Sequence, residues 1–174
     1  MVISLDNMDM DIDINILKQA DIFHKLTPTQ LALVANIGQI QTFNAGENIF
    51  FEGTDSDELY IIIQGQIDIL VNPISLNPEP GDGQQPIIIA TLRQGQSFGE
   101  IALVDKGLRS ATARASQDNS QLFVIQSQKL MLLCDSYPNL GYRLMYNFAA
   151  DLALKIRSMD LRIREELLYA QGRQ

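Results

Sequence analysis

The sequence contains one cysteine, Cys134, one histidine, His24, and no tryptophan among its 174 residues. Zinc and iron–sulfur sites need several Cys or His ligands, so this shortage argues against a metal centre. A catalytic triad built on histidine is disfavoured for the same reason. A single cysteine cannot form an internal disulfide, which fits a cytoplasmic protein. We therefore expect a non-enzymatic, cytoplasmic protein without a metal site.

The sequence also lacks long hydrophobic runs and an excess of positive charge. No apolar run approaches the roughly 20 residues that a membrane-spanning helix requires. Nucleic-acid binding depends on neutralising phosphates with Lys and Arg, and the formal net charge here is −8. We expect neither a membrane nor a nucleic acid as partner. A hydrophobic content of 46% with 20% charged residues is typical of a globular domain.

The patterning divides the chain into three segments. Residues 1–13 are rich in Asp and predict a flexible acidic N-terminus without signal-peptide character. Residues 14–137 predict a helical lead-in, a β-roll and a further helix, and residues 138–174 predict a long C-terminal helix. Within the lead-in we expect two short helices, the second capped by Thr27, with Pro28 at its first position and Gly38 ending it.

The character changes after residue 39, where short β-branched or aromatic runs alternate with glycine and proline turns. This pattern predicts about eight antiparallel strands in a sandwich or roll. The proline-rich segment 72–86 predicts a long hairpin loop. Ser127 is expected to cap a further helix, and Pro138 to begin another that reaches about Ala170. The fold class is therefore mainly β with flanking helices.

An apolar stripe on the last helix has alternating spacings of four and three residues. Its members are Met145, Ala149, Leu152, Ile156, Met159 and Ile163. Such spacing is typical of a coiled-coil seam. The stripe either packs on its own domain or forms a homodimer through residues 145–163.

Residues 97–115, SFGEIALVDKGLRSATARA, place Glu100 and Arg109 nine positions apart in a stretch rich in small and aliphatic residues. Gly99 allows a tight turn, and the segment after it predicts one or two helical turns whose first N–H groups can hold an anion. The planar fork of Arg109 suits two phosphate oxygens, and Ser110 adds a neutral donor. Glu100, with no positive neighbour in the predicted helical turns GEIALVD, can accept from a sugar hydroxyl. These groups fit a ligand with one phosphate and one ribose; the alternative is that Glu100 and Arg109 simply pair with each other.

This stretch strongly resembles the phosphate-binding cassette of the cyclic nucleotide-binding domain family. The matching residues are Phe98-Gly99-Glu100-Ile101-Ala102-Leu103 and Arg109-Ser110-Ala111-Thr112, and the resemblance extends over roughly residues 20–155. It implies a β-roll or jelly roll with N-terminal helices and C-terminal hinge and lid helices. Leu108 is a departure, because many members have proline before the arginine.

The resemblance also implies roles for the cassette residues. Glu100 would take the ribose 2′-hydroxyl and Arg109 the cyclic phosphate, while Gly99 makes the close turn. Ser110 and the backbone of Ile101 and Ala102 would complete the anion cradle. The candidate binding residues are Gly99, Glu100, Ile101, Ala102, Arg109, Ser110, Ala111 and Thr112.

The implied function is a sensing and regulatory module for a cyclic nucleotide. By resemblance, serine occurs at this position in bacterial cAMP receptors and threonine often accompanies cGMP preference in kinases, so Ser110 leaves both nucleotides open and cAMP is the preferred interpretation. Candidates for capping the base are Tyr142, Arg143 and Tyr146. Ligand binding would move the hinge helix and redirect the long helix. The receiver would be an unidentified downstream protein or a second copy, since no kinase, channel or helix-turn-helix segment precedes Gln174.

Three other functions are alternatives to this one. A ligand-free interaction or scaffold module would keep the fold, pair Glu100 with Arg109 and use the helix stripe as its working surface. A DNA-binding regulator is disfavoured by the acidic charge, although the last helix carries several arginines. A cupin-like enzyme shares a related β-roll but usually needs several histidines.

Overall fold

Two four-stranded antiparallel sheets form the body of the protein. The computed structural model describes residues 14–55, 57–72, 85–100 and 107–171, and the expectation for residues 1–13 lies outside them. The strands are β1 (Gly38–Phe43), β2 (Asn48–Phe50), β3 (Glu58–Gln64), β4 (Gln66–Val71), β5 (Ile87–Arg93), β6 (Ser97–Phe98), β7 (Thr112–Ala115) and β8 (Ser120–Gln126). One sheet has the order β1-β8-β3-β6 and the other β2-β7-β4-β5. The predicted β-roll of antiparallel strands is confirmed.

The first sheet lies between the second sheet and the helices. Its central strand β3 is apolar on both faces, so alternate side chains enter two different clusters. Tyr60 and Ile62 face the second sheet, where they pack with Phe98 and Leu122. Leu59, Ile61 and Ile63 face the helical cluster. Strand β3 is therefore buried on both faces and held between the two clusters.

The helical lead-in comprises α1 (Ile14–Leu17), a 3₁₀ helix (Asp21–Phe23) and α2 (Pro28–Ala35). Thr27 caps α2 as predicted, since its hydroxyl accepts from the Gln30 N–H while the Gln30 side chain accepts from the Thr27 N–H. The role predicted for Gly38 is wrong. The helix ends at Ala35, and Gly38 begins β1, where an added Cβ would collide with the ring of Phe123. Gly38 therefore permits close packing rather than a helix stop.

Two helices follow the sheets: α3 (Ser127–Ser136) and α4 (Pro138–Gln171). The predicted cap of α3 is wrong by one residue, because Ser127 is already helical and its N–H donates to the carbonyl of Asp57 at 2.6 Å. The start of α4 at Pro138 is confirmed, and its 34 residues give a length of about 50 Å. None of the helices in the described ranges is long and apolar enough to cross a membrane.

The two halves of α4 have different environments. Leu140, Leu144 and Phe148 are buried against the helical core. Asn147 is also buried, and its amide donates to the carbonyls of Ile22 at 2.9 Å and His24 at 2.8 Å. From residue 156 to 169 every side chain is exposed. The first half of α4 is thus fixed to the domain, and the second half extends along it.

Asn147→Leu should destabilise the protein, because it leaves two carbonyls of the lead-in without their donor. The expected loss in the free energy of unfolding is about 1–3 kcal/mol, measured by urea denaturation. Asn139→Leu, at an exposed position in the first turn of the same helix, is the control and should change stability by less than about 0.5 kcal/mol. Equal effects of the two substitutions would contradict the anchoring role.

Candidate functional site

A left-handed turn at Gly99 brings the acid and the arginine of the cassette together. Gly99 follows β6 with a φ of +82°, a conformation that costs other residues free energy. A Cβ there would lie 2.7 Å from Nη1 of Arg109 and 2.9 Å from the carbonyl oxygen of Glu58. Nη1 of Arg109 donates to the Gly99 carbonyl at 3.2 Å. The guanidinium therefore reaches the residue adjacent to Glu100.

The backbone of Arg109 is fixed by the turn that follows β2. Its N–H donates to the carbonyl of Thr54 at 2.9 Å, and its carbonyl accepts from the N–H of Gly53 at 2.8 Å. Its Nη2 donates to the carbonyl of Glu58 at 2.8 Å. Because these contacts come from both ends of the segment 53–58, the arginine is positioned by residues about fifty positions earlier in the chain.

An aromatic cluster supports the guanidinium. Arg109 Cζ lies 4.2 Å from the ring centroid of Phe50 and 5.6 Å from that of Tyr60, a cation–π geometry. Tyr60 stacks on Phe98 with a centroid distance of 5.0 Å, and its hydroxyl donates to the Glu58 carboxylate at 2.6 Å. Burial lowers the pKa of Arg109, while Tyr60 and Glu58 act in the opposite direction. The site therefore holds a buried cation in a chain of net negative charge.

Glu100 is paired with a lysine from the other end of the chain. Glu100 as a whole is 7% exposed, and its Oε1 accepts from Nζ of Lys155 at 2.9 Å. In the part of the chain that the structure describes, the ion pair of Glu100 is with Lys155 rather than with Arg109. The helical turns predicted at GEIALVD contain no cation in the sequence, and the fold supplies one from α4.

Lys155 makes three short polar contacts. Besides Glu100, its Nζ donates to the carbonyl of Ser97 at 2.9 Å and lies 2.7 Å from Oδ2 of Asp151, one turn earlier on α4. Burial alone would lower the pKa of Lys155, but the carboxylates of Glu100 and Asp151 outweigh it and the net pKa is raised. The ammonium is therefore held in its charged form, between the helix and the cassette.

The other cassette residues have different positions. Ile101 and Ala102 lie outside the described residues. Ser110 is exposed and Ala111 is 9% exposed. The hydroxyl of Thr112 accepts from the Glu52 N–H at 2.9 Å, so it joins β7 to the end of β2. That contact gives Thr112 a structural role.

The candidate base-capping residues lie away from the cassette. Tyr142 and Tyr146 are exposed, with ring centroids 6.4 Å apart, and Arg143 lies 6.0 and 5.9 Å from the two rings. Tyr146 precedes Lys155 by nine positions, which is about 14 Å along a helix. In this arrangement the aromatic pair does not share a site with Glu100.

Sequence reasoning missed Lys155, Glu58 and Phe50. No local signal identifies Lys155, because the 55 positions between it and Glu100 are bridged only by the tertiary fold. Phe50 and Glu58 lie on either side of the turn at Glu52 and Gly53, which precedes Arg109 by about fifty-five positions. A cation–π partner for a buried arginine could have been sought there.

The fold and the site together define a β-roll with a buried arginine and glutamate at one turn. A family model described as the cyclic nucleotide-binding domain matches residues 40–137. The chain belongs to the cyclic nucleotide-binding domain family. The family domain is a binding module without a catalytic step of its own.

The relatives of the chain include a cyclic AMP receptor protein and a cGMP-dependent protein kinase. It is 29% identical over 84% of its length to the cyclic AMP receptor protein of Thermus thermophilus, and covers 62% of that protein. It is 25% identical over 66% of its length to human cGMP-dependent protein kinase 2, covering 14% of it. A cyclic nucleotide-binding domain from Methylobacillus flagellatus has the same fold, with a TM-score of 0.74 at 21% identity over 88% of this chain and 81% of that one. The chain thus spans less than two thirds of either sequence relative.

Gly99→Ala should destabilise the protein more than Gly46→Ala. Both glycines have a left-handed φ, +82° and +87°, so both substitutions carry a backbone cost of about 1–2 kcal/mol. Only Gly99 also has close neighbours, because nothing lies within 4 Å of a Cβ at Gly46. The extra loss at Gly99 should be at least about 1 kcal/mol, measured by urea denaturation. Equal losses would mean that the turn does not pack against Arg109 in solution.

Proposed function

We propose that this chain is a regulatory module that binds cAMP in preference to cGMP and couples binding to movement of α3 and α4. The observation that carries the proposal is the convergence of Arg109 and Glu100. A buried guanidinium reaches the carbonyl of Gly99, and the next residue is a buried carboxylate. An anion binder and a hydroxyl acceptor therefore stand side by side, as a phosphate joined to a ribose requires.

The present contacts of Arg109 are compatible with phosphate binding. Its donors meet the carbonyls of Gly99 and Glu58, which are neutral acceptors. A phosphate oxygen carries negative charge and forms the stronger, charge-assisted bond, and a guanidinium has five N–H donors to distribute. Binding would therefore exchange or share donors without leaving a buried charge unpaired. Ser110, exposed beside Arg109, would add a neutral donor, with the backbone of Ile101 and Ala102 completing the cradle.

Two observations support cAMP as the ligand. Ser110 is the residue type found at this position of the cassette in bacterial cAMP receptors. The cyclic AMP receptor protein matches more of the chain, at higher identity, than the cGMP-dependent kinase does. In the proposal residues 14–137 form the binding unit, residues 138–174 act as lid and dimerisation helix, and a downstream protein receives the signal in the cytoplasm.

Arg109→Lys should weaken cAMP binding by about 10- to 100-fold, because a point charge cannot replace a planar fork on two phosphate oxygens. Isothermal titration calorimetry with cAMP and cGMP measures the effect. Arg93→Lys is the matched control, since Arg93 is exposed at the end of β5 and should leave affinity unchanged. The absence of heat from the unaltered protein with either nucleotide at millimolar concentration would reject the proposed function.

A ligand-free interaction module is the second candidate, and one observation favours it. Glu100 already has a charged partner in Lys155, so the buried carboxylate does not need a ligand for its stability. If the calorimetry gives no heat, and if the protein binds its partners equally with and without nucleotide, this function replaces the first.

The proposal also includes a homodimer formed by the second half of α4. The structure divides the predicted stripe: Met145 packs against the helical core, whereas Ile156, Met159 and Ile163 are 59%, 60% and 50% exposed. Leu167 lies four positions beyond Ile163, on the same side of the helix, and is 59% exposed. An apolar seam of this kind is stabilised when a second helix covers it.

Ile163→Asp should convert the dimer to a monomer, because it places a charge in the apolar seam. Sedimentation velocity at micromolar concentrations measures the change. Ser158→Asp, on the opposite side of the same exposed half, should leave the dimer intact. A monomeric unaltered protein, or a dimer that tolerates Ile163→Asp, would contradict this interface.

A further inference from the structure

Lys155 covers the carboxylate that the proposed ligand needs. The side chain of Glu100 is 9% exposed and that of Lys155 is 30% exposed. A ribose hydroxyl can therefore reach the carboxylate only if a covering group moves. Lys155 contacts the carboxylate directly, and its four-carbon stem is flexible.

The contact also joins the cassette to α4. The ammonium donates to the Glu100 carboxylate and the Ser97 carbonyl, and it lies 2.7 Å from Oδ2 of Asp151. Two of these acceptors lie on the cassette side and one on the helix itself. Beyond Lys155, one further polar contact fixes the exposed half of α4 in the described part of the chain: Arg162 Nη1 donates to the Ile89 carbonyl. Lys155 is therefore a principal tie between that half of the helix and the β-roll.

We infer that Lys155 competes with the ribose 2′-hydroxyl of the ligand for Glu100, so that ligand binding releases this part of α4 from the cassette. The inference rests on the proposed function and assigns to it a residue outside the cassette. A hydroxyl is a neutral donor and an ammonium a charged one, so the exchange at Glu100 opposes binding. Coupling between two sites is reciprocal. A partner or variant that keeps α4 away from Glu100 therefore strengthens ligand binding by the same factor by which the bound ligand favours release of the helix.

Lys155→Met tests the competition, with the dissociation constants of cAMP and 2′-deoxy-cAMP measured by calorimetry. The quantity of interest is the ratio of the two constants, because loss of a cation near an anionic ligand affects both nucleotides and cancels. The preference for cAMP over its 2′-deoxy analogue should rise about three- to tenfold in Lys155→Met. Arg157→Met, exposed on the same helix, is the control and should leave the ratio unchanged.

Two further measurements protect the test from a folding defect. Removing Lys155 leaves Asp151 without its cation, so the double variant Asp151→Asn, Lys155→Met should show the same rise in the ratio. Thermal unfolding of Glu100→Gln, Lys155→Met and their combination, without ligand, should be non-additive by a few degrees. Additive shifts would mean that the contact does not form in solution and would overturn the inference.

The outcomes separate the inference from the function on which it rests. If both proteins bind cAMP and the ratio stays equal or falls, Lys155 does not compete with the hydroxyl and the inference fails while the function stands. If only Lys155→Met binds, the competition is strong and the inference is supported. If neither binds cAMP or cGMP, the proposed function fails and the inference fails with it.

Discussion

The burial of the Arg109 guanidinium is the constraint on which the rest of the site depends. A buried cation is tolerated only where acceptors surround it, and here they are backbone carbonyls of Glu58 and Gly99 together with the ring of Phe50. These groups belong to β3, to the turn after β6 and to β2. One side chain therefore fixes the distance between the two sheets at this end of the roll. The left-handed turn at Gly99 is a consequence, because only a residue without a side chain leaves room for the arginine.

Glu100 is the residue directly after this turn, and its buried negative charge also needs a partner. Arg109 is already bound by backbone carbonyls, and the counter-ion of the Glu100 carboxylate comes from α4 as Lys155. A pair of this kind, with one partner about a third exposed, gives modest stability. Its importance lies elsewhere: the acceptor proposed for the ribose and the docking point of the helix are the same carboxylate. Ligand and helix thus act on one group without any longer path between them.

Short-range signals predicted much of this molecule. The capping box at Thr27, the strand runs and the proline that begins α4 all depend on neighbours within a few positions, and they appear as expected. The cassette was recognisable for the same reason, since the acid and the arginine lie in one continuous stretch. The errors have the opposite origin. Gly38 is required by a ring from β8, the start of α3 is set by the carbonyl of Asp57, and Lys155 reaches Glu100 across 55 positions. Such contacts exist only once the sheets and helices have packed.

The division of α4 explains why a local exchange at Glu100 can have a mechanical effect. Its first half is fixed by Leu140, Leu144 and Phe148 in the core, where moving a side chain would open a cavity. Its second half rests on the domain through polar contacts such as that of Lys155, which water can replace at small cost. Loss of one such contact therefore does not disturb the first half, and in the proposed exchange binding of the whole ligand would shift the second half. If the proposed dimer forms through the exposed apolar side chains from Ile156 onward, the position of the helix would link occupancy of the site to assembly.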